Sequence, residues 1–187
     1  MEKLFETKRL EVRQFTAGDA ADLYEICRDP DLVKFMPFPQ YKSIDDAHAR
    51  LRVVVAKYAD PAPTRTTSED KIDYAIVLKS ENKVIGSLGY SRYTSRAGGI
   101  AELGYYMSPK YQGNGYMTEA VVGLFKYIKS HKIAMRIEAK HDVANVASGR
   151  VMQKAGMNFE GIMRKYTGNN TCDRVDAAMY SILYEEI

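Results

Sequence analysis

Tryptophan is absent from this sequence of 187 residues, and cysteine occurs only twice. Cys27 and Cys172 lie far apart and show no C-x-x-C spacing, so the sequence indicates neither a disulfide framework nor a zinc site. The three histidines, His48, His131 and His141, are scattered and do not form a recognisable set of metal ligands. We therefore expect a reduced, cytoplasmic protein that holds no metal.

Long hydrophobic runs are also missing. The longest, "LRVVVA" and "VVGLF", are far shorter than a membrane span, and the N-terminal "MEKLFETKRL" lacks the apolar core of a signal peptide. The net charge of +3 is mild, so the composition does not indicate a protein that binds nucleic acid through its overall field. Membrane and nucleic-acid partners are therefore not expected.

The hydrophobic patterning predicts a single domain over residues 1–187. Alternating segments such as "RLEVRQF" and "DYAIVLK" predict strands, whereas Val121, Leu124 and Ile128 follow the spacing of a helix. The predicted order is strand, two helices, three strands, helix, strand, helix and two strands. This order favours an α/β (α+β) fold with a mixed central sheet of about seven strands, flanked by about four helices.

Local signals set several boundaries of these elements. Pro30 is expected to close the first helix, which Thr16 or Asp19 caps, and Ser43 fits the N-cap of the second helix. The stretch "DPAPTRTTSED" is rich in proline and threonine and is typical of an unstructured connection.

Two glycines flank a single asparagine in "YQGNGYMTEA", Tyr111 to Ala120, between a predicted strand and a predicted amphipathic helix. Glycine allows a ligand to approach the backbone, and the free N–H groups and dipole at a helix start attract phosphate. The Lys-Ser/Thr pair of a P-loop and the third glycine of a dinucleotide fingerprint are missing. Taken alone, the pattern predicts either a phosphate site or a plain strand-to-helix turn.

Four longer blocks follow one another along the chain: "TKRLEVRQFTAGDA", "KVIGSLGY", "AELGYYMSPKYQGNGYMTEAV" and "NVASGRVMQKAGMNFEG". Together they resemble the GNAT family of N-acetyltransferases, and within it the RimJ/RimL-like branch that acetylates the N-termini of ribosomal proteins. Met117 stands where the family motif usually has a small residue, and the rest of the motif is met by Gln112, Gly113, Asn114, Gly115 and Tyr116. The resemblance implies a GNAT-like domain with a splayed cofactor cleft.

The same resemblance implies that acetyl-CoA binds as a co-substrate, with its pyrophosphate on the turn from Gln112 to Thr118. The pantetheine arm is expected against Tyr105 to Ser108, in a gap between that strand and "MRIEAK". Asn145 matches an asparagine that contacts the pantetheine amides, and it also fits a helix N-cap. The cofactor-binding residues so implied are Tyr106, Met107, Ser108, Gln112, Gly113, Asn114, Gly115, Tyr116, Met117, Thr118 and Asn145.

An amine must be neutral before it attacks a thioester, so the chemistry needs a base or a desolvating pocket. Glu102 is the candidate base, because the resemblance implies a carboxylate that works through water on the strand leading to the cofactor turn. It is also consistent with a solvated strand residue or with an ion pair to Arg136 or Lys140. A main-chain N–H near Met107 is the implied donor to the oxyanion.

The departing thiolate needs a proton donor or a strong hydrogen bond. Many relatives use a tyrosine where this chain has Met152. Ser148 matches a serine of the ribosomal-protein branch whose hydroxyl could hydrogen-bond the sulfur, and it also suits the start of a helix. Glu102 and Ser148 are therefore the two catalytic candidates.

The acceptor implied by the resemblance is an amine, most directly the α-amine of a protein N-terminus. The alternatives are a small-molecule amine, such as an antibiotic or a polyamine, and a sensor that binds acyl-CoA without catalysis. The apolar stretch "FMPFPQY" either lines an acceptor pocket or covers the sheet. Exposed edge strands at the C-terminus favour a homodimer.

Overall fold

The computed structural model of the protein describes residues 2–59, 71–93, 99–168 and 174–187. The proline- and threonine-rich stretch 60–70 and Cys172 lie outside the described residues. Cys27, the other cysteine, is a buried free thiol. Among the described residues, no helix is long and apolar enough to cross a membrane.

Eight described strands form one mixed sheet in the order β1-β2-β3-β4-β5-β6-β8-β7, in which only β5 and β6 pair in parallel. The predicted fold class is confirmed, with one strand more than expected. The additional strand is the first, whose four half-exposed residues carry no clear alternation. The strands are β1 (Lys3–Glu6), β2 (Leu10–Arg13), β3 (Ile72–Leu78), β4 (Lys83–Tyr93), β5 (Ile100–Met107), β6 (Arg136–Asp142), β7 (Asn158–Gly168) and β8 (Arg174–Leu183).

The described residues also form five α-helices, one more than expected. The prediction that Pro30 closes the first helix is wrong: that helix ends at Cys27, and Pro30 begins a further short helix behind the N-cap Asp29. Proline is tolerated there because the first N–H of a helix has no intrahelical partner. The helices are α1 (Ala20–Cys27), α2 (Pro30–Val33), α3 (Ile44–Tyr58), α4 (Tyr116–Ser130) and α5 (Val146–Lys154).

Helices cover both faces of the sheet. On one face, α4 contributes Leu124, Phe125 and Ile128 to the larger core cluster, which also contains Met152 of α5. On the other face, α1 and α3 pack through apolar residues such as Leu51 against β3 and β4. The predicted N-cap Ser43 is confirmed at the start of α3, where it forms a capping box.

The sheet opens in its middle, between the two parallel strands. Pairing of β5 with β6 runs from Ile100↔Arg136 to Leu103↔Ala139 and then stops, although both strands continue. The outer partners are kept: Met107 still pairs with β4, and Asp142 still pairs with β8. Among the described residues, the stretch 104–107 therefore has no strand beside it on the β6 side, and the predicted gap between these strands is present.

Candidate active site

A cleft of about 410 Å³ lies at the end of β5, beside the point where β6 diverges. Its walls come from α2 and the residues after it, the end of β5, the β5–α4 turn, and one side of α5 along its length. Among the predicted site residues, those that line this cleft are Tyr106, Met107, Gln112, Gly113, Gly115, Tyr116, Met117, Thr118, Asn145 and Ser148. Glu102, Ser108 and Asn114 lie outside the lining.

The two glycines of the turn both adopt left-handed backbone conformations, with φ of +79° at Gly113 and +77° at Gly115. A Cβ added at Gly113 would meet no atom within 4 Å, so its conformation, and not crowding, favours glycine. The same openness leaves the backbone at this position accessible to an incoming ligand.

Side chains within the turn hold its shape. Asn114 donates from Nδ2 to the carbonyl oxygens of Tyr111 (3.3 Å) and Gln112 (3.1 Å). Gln112 in turn donates from Nε2 to the Met107 carbonyl oxygen at 3.0 Å. Ser108 is buried, and its amide donates to Ile85 O at 2.9 Å. The side-chain NH2 of Asn114 and the main-chain amide of Ser108 therefore have partners within the protein.

Residues of the N-terminal segment bind the start of α4 through an ion pair and hydrogen bonds. Arg9 forms an ion pair with Glu119 (2.6 Å), donates from Nη1 to Asn114 O (3.0 Å) and lies over the ring of Tyr116. Thr7 Oγ1 also donates to Glu119. Burial alone would raise the pKa of Glu119, but the hydrogen bonds from Thr7 and Arg9 outweigh it and hold that pKa below its usual value.

The first turn of α4 offers main-chain N–H groups. Its N-cap, Gly115, has no side chain to accept from them, and none of the described side chains caps this helix start. These amides and the helix dipole favour an anion at the cleft. The side chain of Met117, which replaces the usual small residue, is 6% exposed and belongs to the larger core cluster.

A cluster of hydroxyl groups lies on the opposite wall. Asn145 is the N-cap of α5, as predicted, and its side chain accepts from the amide of Ser148 at 3.3 Å. Tyr105 donates its hydroxyl to the Ser148 carbonyl oxygen at 2.9 Å, and Ser148 Oγ donates to the Tyr105 hydroxyl at 3.1 Å. Burial raises the pKa of Tyr105 well above its ordinary value, so this residue stays a neutral phenol.

The two hydroxyls of this pair have two protons between them. While Tyr105 donates to the carbonyl, Ser148 donates to Tyr105, and no proton of the pair is left for the cleft. Ser148 can instead point its proton into the cleft, and the two hydroxyls stay hydrogen-bonded if Tyr105 then turns its own proton toward Ser148 Oγ. The carbonyl of Ser148 tolerates this, because the i+4 amide of α5 is its helical partner.

Glu102 lies in the half of β5 that is paired on both sides. Lys140 donates to it in a short ion-paired hydrogen bond, and both side chains are largely buried. Arg136, the other alternative partner, pairs instead with Glu138 (2.8 Å) and Glu160 (2.9 Å). The structure therefore does not bring Glu102 together with Ser148 in the cleft.

The apolar stretch after α2 is divided between the cleft and the sheet. Phe35 and Met36 line the cleft. Phe38 instead packs against the rings of Tyr106 and Tyr41, with centroid separations of 5.7 and 6.0 Å. The first half of the stretch thus contributes to the cleft and the second half covers the sheet.

Sequence reasoning missed several residues of the cleft. Tyr105 belongs to the stretch expected against the pantetheine arm, but its hydroxyl has no predicted role, and Asp31 has none either. Arg150 and Lys154 also line the cleft from α5. Their i, i+4 spacing on a predicted helix, just after Ser148, is the signal that places both on one face. Among the described residues, no group of three or more His, Cys, Asp or Glu side chains could hold a metal ion.

Residues 9–158 match the acetyltransferase (GNAT) domain, so the chain belongs to the GNAT family of acetyltransferases. A relative that matches nearly the whole chain is the uncharacterized N-acetyltransferase YnaD of Bacillus subtilis, 29% identical over 96% of both chains. The chain is therefore an N-acetyltransferase.

Two solved structures share its fold. One is the microcin C7 self-immunity acetyltransferase MccE in complex with acetyl-CoA and AMP, with a TM-score of 0.79, 20% identity and coverage of 95% and 93% of the two chains. The other is RimL, the ribosomal L7/L12 α-N-protein acetyltransferase, in complex with coenzyme A, with a TM-score of 0.80, 20% identity and coverage of 97% and 98%. At this identity the likeness concerns the fold alone.

Proposed function

We propose that this enzyme transfers the acetyl group of acetyl-CoA to the α-amine of a protein N-terminus. The observation that carries the proposal is the cleft itself, where the glycine turn, the unpaired edge of β5 and the start of α5 meet in one volume. RimL, which shares the fold, acts on a protein α-amine and was solved with coenzyme A. This supports the proposed acceptor and co-substrate.

The cleft residues fit the parts of acetyl-CoA. The amides of the turn and of the first residues of α4, from Gly113 to Thr118, would hold the pyrophosphate. The free edge of β5 up to Met107 offers main-chain groups to the pantetheine amides, with Asn145 opposite. When bound, acetyl-CoA supplies a thioester whose carbonyl carbon accepts the amine.

The choice of an α-amine follows from the charge of the acceptor. At pH 7 roughly one in seven α-amines is neutral, against roughly one in 2,500 lysine side chains, from pKa values of about 7.8 and 10.4. Among the described residues that line the cleft, Asp31 is the one carboxylate. A cleft with so few groups that could accept a proton suits an acceptor amine that loses its proton easily.

The chain's own residues then have three proposed tasks. Glu102 remains the proposed base and, because it lies outside the cleft, it would act through water. The N–H of Met107 would donate to the developing oxyanion. Ser148 would donate to the sulfur, and Tyr105 would support it by turning its own proton toward Ser148 Oγ.

A small amine is the second candidate acceptor. It is favoured by the wall opposite α5, where Asp31 lies beside Phe35 and Met36. A carboxylate next to two apolar side chains suits a cationic amine with an apolar body. MccE, a self-immunity acetyltransferase that shares the fold, supports this alternative.

The test is thiol release from acetyl-CoA with the purified protein and a panel of amines. The panel holds peptides with free Ala, Ser or Met N-termini, the same peptides already N-acetylated, polyamines and aminoglycosides. We expect release with the free peptides only. Release with small amines alone would replace the proposed acceptor. Binding of acetyl-CoA without release by any amine would favour a sensor instead.

A further inference from the structure

Successive residues of β5 point to opposite faces of the sheet. Tyr105 points to the face that carries α5, where it contacts Ser148, whereas Tyr106 points to the opposite face and packs against Phe38. Gly104 lies on the same face as Tyr106, at the first position of the open half of β5. Because α5 covers the face of Tyr105, the face of Gly104 and Tyr106 is the one left for an acceptor.

A shallow trough crosses this face beside the open half of β5. Gly104 pairs with Gly89 of β4, which pairs in turn with Asp73 of β3. A Cβ at Gly104 would come within 2.9 Å of Lys71 Nζ, and a Cβ at Gly89 would come within 2.8 Å of Asp73 Oδ1. The two glycines therefore make room for Lys71 and Asp73, which form an ion pair at 2.9 Å.

The trough holds more positive than negative charge. Asp73 is only 6% exposed and binds two cations, Lys71 at Oδ1 and Arg50 of α3 at Oδ2, the latter at 2.7 Å. Burial alone would raise the pKa of Asp73, but Lys71 and Arg50 outweigh it and hold that pKa below its usual value. The next acid on this face of β5, Glu102, is already ion-paired with Lys140. Within the described part of the chain, two cations thus share one carboxylate.

The excess positive charge can be reached from outside. The side chain of Lys71 keeps 26% of its surface exposed, although its ion-pair partner Asp73 is buried. An ammonium group has three N–H donors, and one carboxylate does not use them all. Lys71 is therefore held in place by one acid and is able to bind a second.

We infer that Lys71 selects acceptor peptides with an acidic side chain at their second or third residue. The inference rests on the proposed function. The acceptor amine has to reach the cleft beside Tyr106, and Gly104 lies two residues, or about 7 Å, back along the strand. An extended peptide advances about 3.5 Å per residue, so its second or third side chain reaches the trough. A carboxylate there would pair with Lys71, and a cationic side chain would be repelled.

The experiment compares kcat/KM for thiol release among peptides that begin with Ala and carry Glu, Gln or Lys at position 2 or position 3. Glutamine has the shape of glutamate without its charge, so the ratio between the Glu and Gln peptides isolates the charge. We expect a ratio of about ten at low salt at one of the two positions, since a partly exposed ion pair contributes modestly. The ratio should shrink at high ionic strength, and the Lys peptides should be the slowest.

Three variants locate the source of this preference. Lys71→Met removes the charge and Lys71→Arg keeps it, while Lys3→Met is the matched control because it removes an ion-paired lysine from β1, at the far edge of the sheet. We expect the ratio to fall toward unity in Lys71→Met and to persist in the other two. A purely structural role would lower kcat/KM for the Glu and Gln peptides equally and leave their ratio unchanged. Melting temperatures verify that the variants are folded.

The outcomes separate this inference from the proposed function. Thiol release at equal kcat/KM with the Glu and Gln peptides in the unchanged protein would overturn the role of Lys71 and leave the proposed acceptor intact, and this comparison needs no variant. A ratio that survives in Lys71→Met, or that falls equally in Lys3→Met, would also overturn it, because another residue or the net charge would then be the cause. Absence of release with every peptide would remove the proposed function and, with it, this inference.

Discussion

The two halves of β5 have the same backbone conformation but different neighbours. Residues 100–103 pair with β4 on one side and β6 on the other, and Glu102 in this half is ion-paired with Lys140. Residues 104–107 keep only β4, and here Tyr105 and Met107 line the cleft. The comparison shows that this strand leaves groups available for a ligand where its ladder ends.

The largest effect on catalysis is expected from the hydroxyl pair of Tyr105 and Ser148, beside the open half of β5. Ser148→Ala should lower kcat about 100-fold with little change in KM for acetyl-CoA, because a donor to the departing sulfur acts in the transition state. Tyr105→Phe should lower kcat about tenfold, and the double variant should be no slower than Ser148→Ala, since the two act as one unit. Steady-state kinetics of the three variants measure this.

Ser130→Ala is the control for that series, as it removes an exposed serine hydroxyl near the C-terminal end of α4. Additive losses in the double variant would show that Tyr105 and Ser148 act independently. Losses confined to KM would assign the pair to binding instead of to the chemical step.

The glycine turn follows the open half of β5, and its left-handed backbone conformation can be tested by substitution. Gly113→Ala should weaken acetyl-CoA binding about tenfold and destabilise the fold by about 1 kcal/mol, because a side chain disfavours its φ of +79°. Gly161→Ala is the matched control: its φ is +145°, it also has open space for a Cβ, and it lies on the remote β7. Calorimetry and thermal melts should show a stability loss in both and an affinity loss only in Gly113→Ala.

For the paired half of β5, which contains Glu102, the test is the pH dependence of kcat. If Glu102 is the base, Glu102→Gln should lower kcat about tenfold at pH 7 and progressively less above pH 8, where an α-amine has already lost its proton. Lys140→Met separates catalysis from pairing, because it breaks the same ion pair but keeps the carboxylate. An unchanged rate of Glu102→Gln between pH 6 and pH 7 would leave Glu102 as a structural partner of Lys140.

Local signals explain which parts of the site were predictable. The glycine turn and the cap Asn145 each depend on a few neighbouring residues, and the sequence predicts both. The contact of Tyr105 with Ser148 joins residues 43 positions apart in the sequence, and the ion pair of Arg9 with Glu119 joins residues 110 positions apart. Nothing in a single sequence pairs residues at such distances.

The errors in the fold have local causes. The first strand is short and half-exposed, so its pattern does not stand out. The prediction for Pro30 is wrong because proline both ends helices and begins them, and only the hydrogen bonds that the Asp29 carboxylate accepts from the amides of Asp31 and Leu32 decide between the two. The homodimer stays a prediction. The edge strand β7 does carry exposed apolar residues such as Phe159 and Ile162.

The smallest effect is expected from the ion pair between Arg9 and Glu119 at the start of α4. The pKa of Glu119 is depressed in the folded protein, so its contribution to stability is present above its ordinary pKa of about 4.3 and is lost as the pH falls through the lower folded value. Glu119→Gln should therefore destabilise the protein by about 1 kcal/mol at pH 7, and the difference should shrink as the pH is lowered. Glu6→Gln, which breaks a more exposed ion pair, should change stability much less. Urea unfolding of both variants at pH 7 and pH 3 measures this, and a pH-independent loss in Glu119→Gln would mean that its packing, not its charge, holds the start of α4.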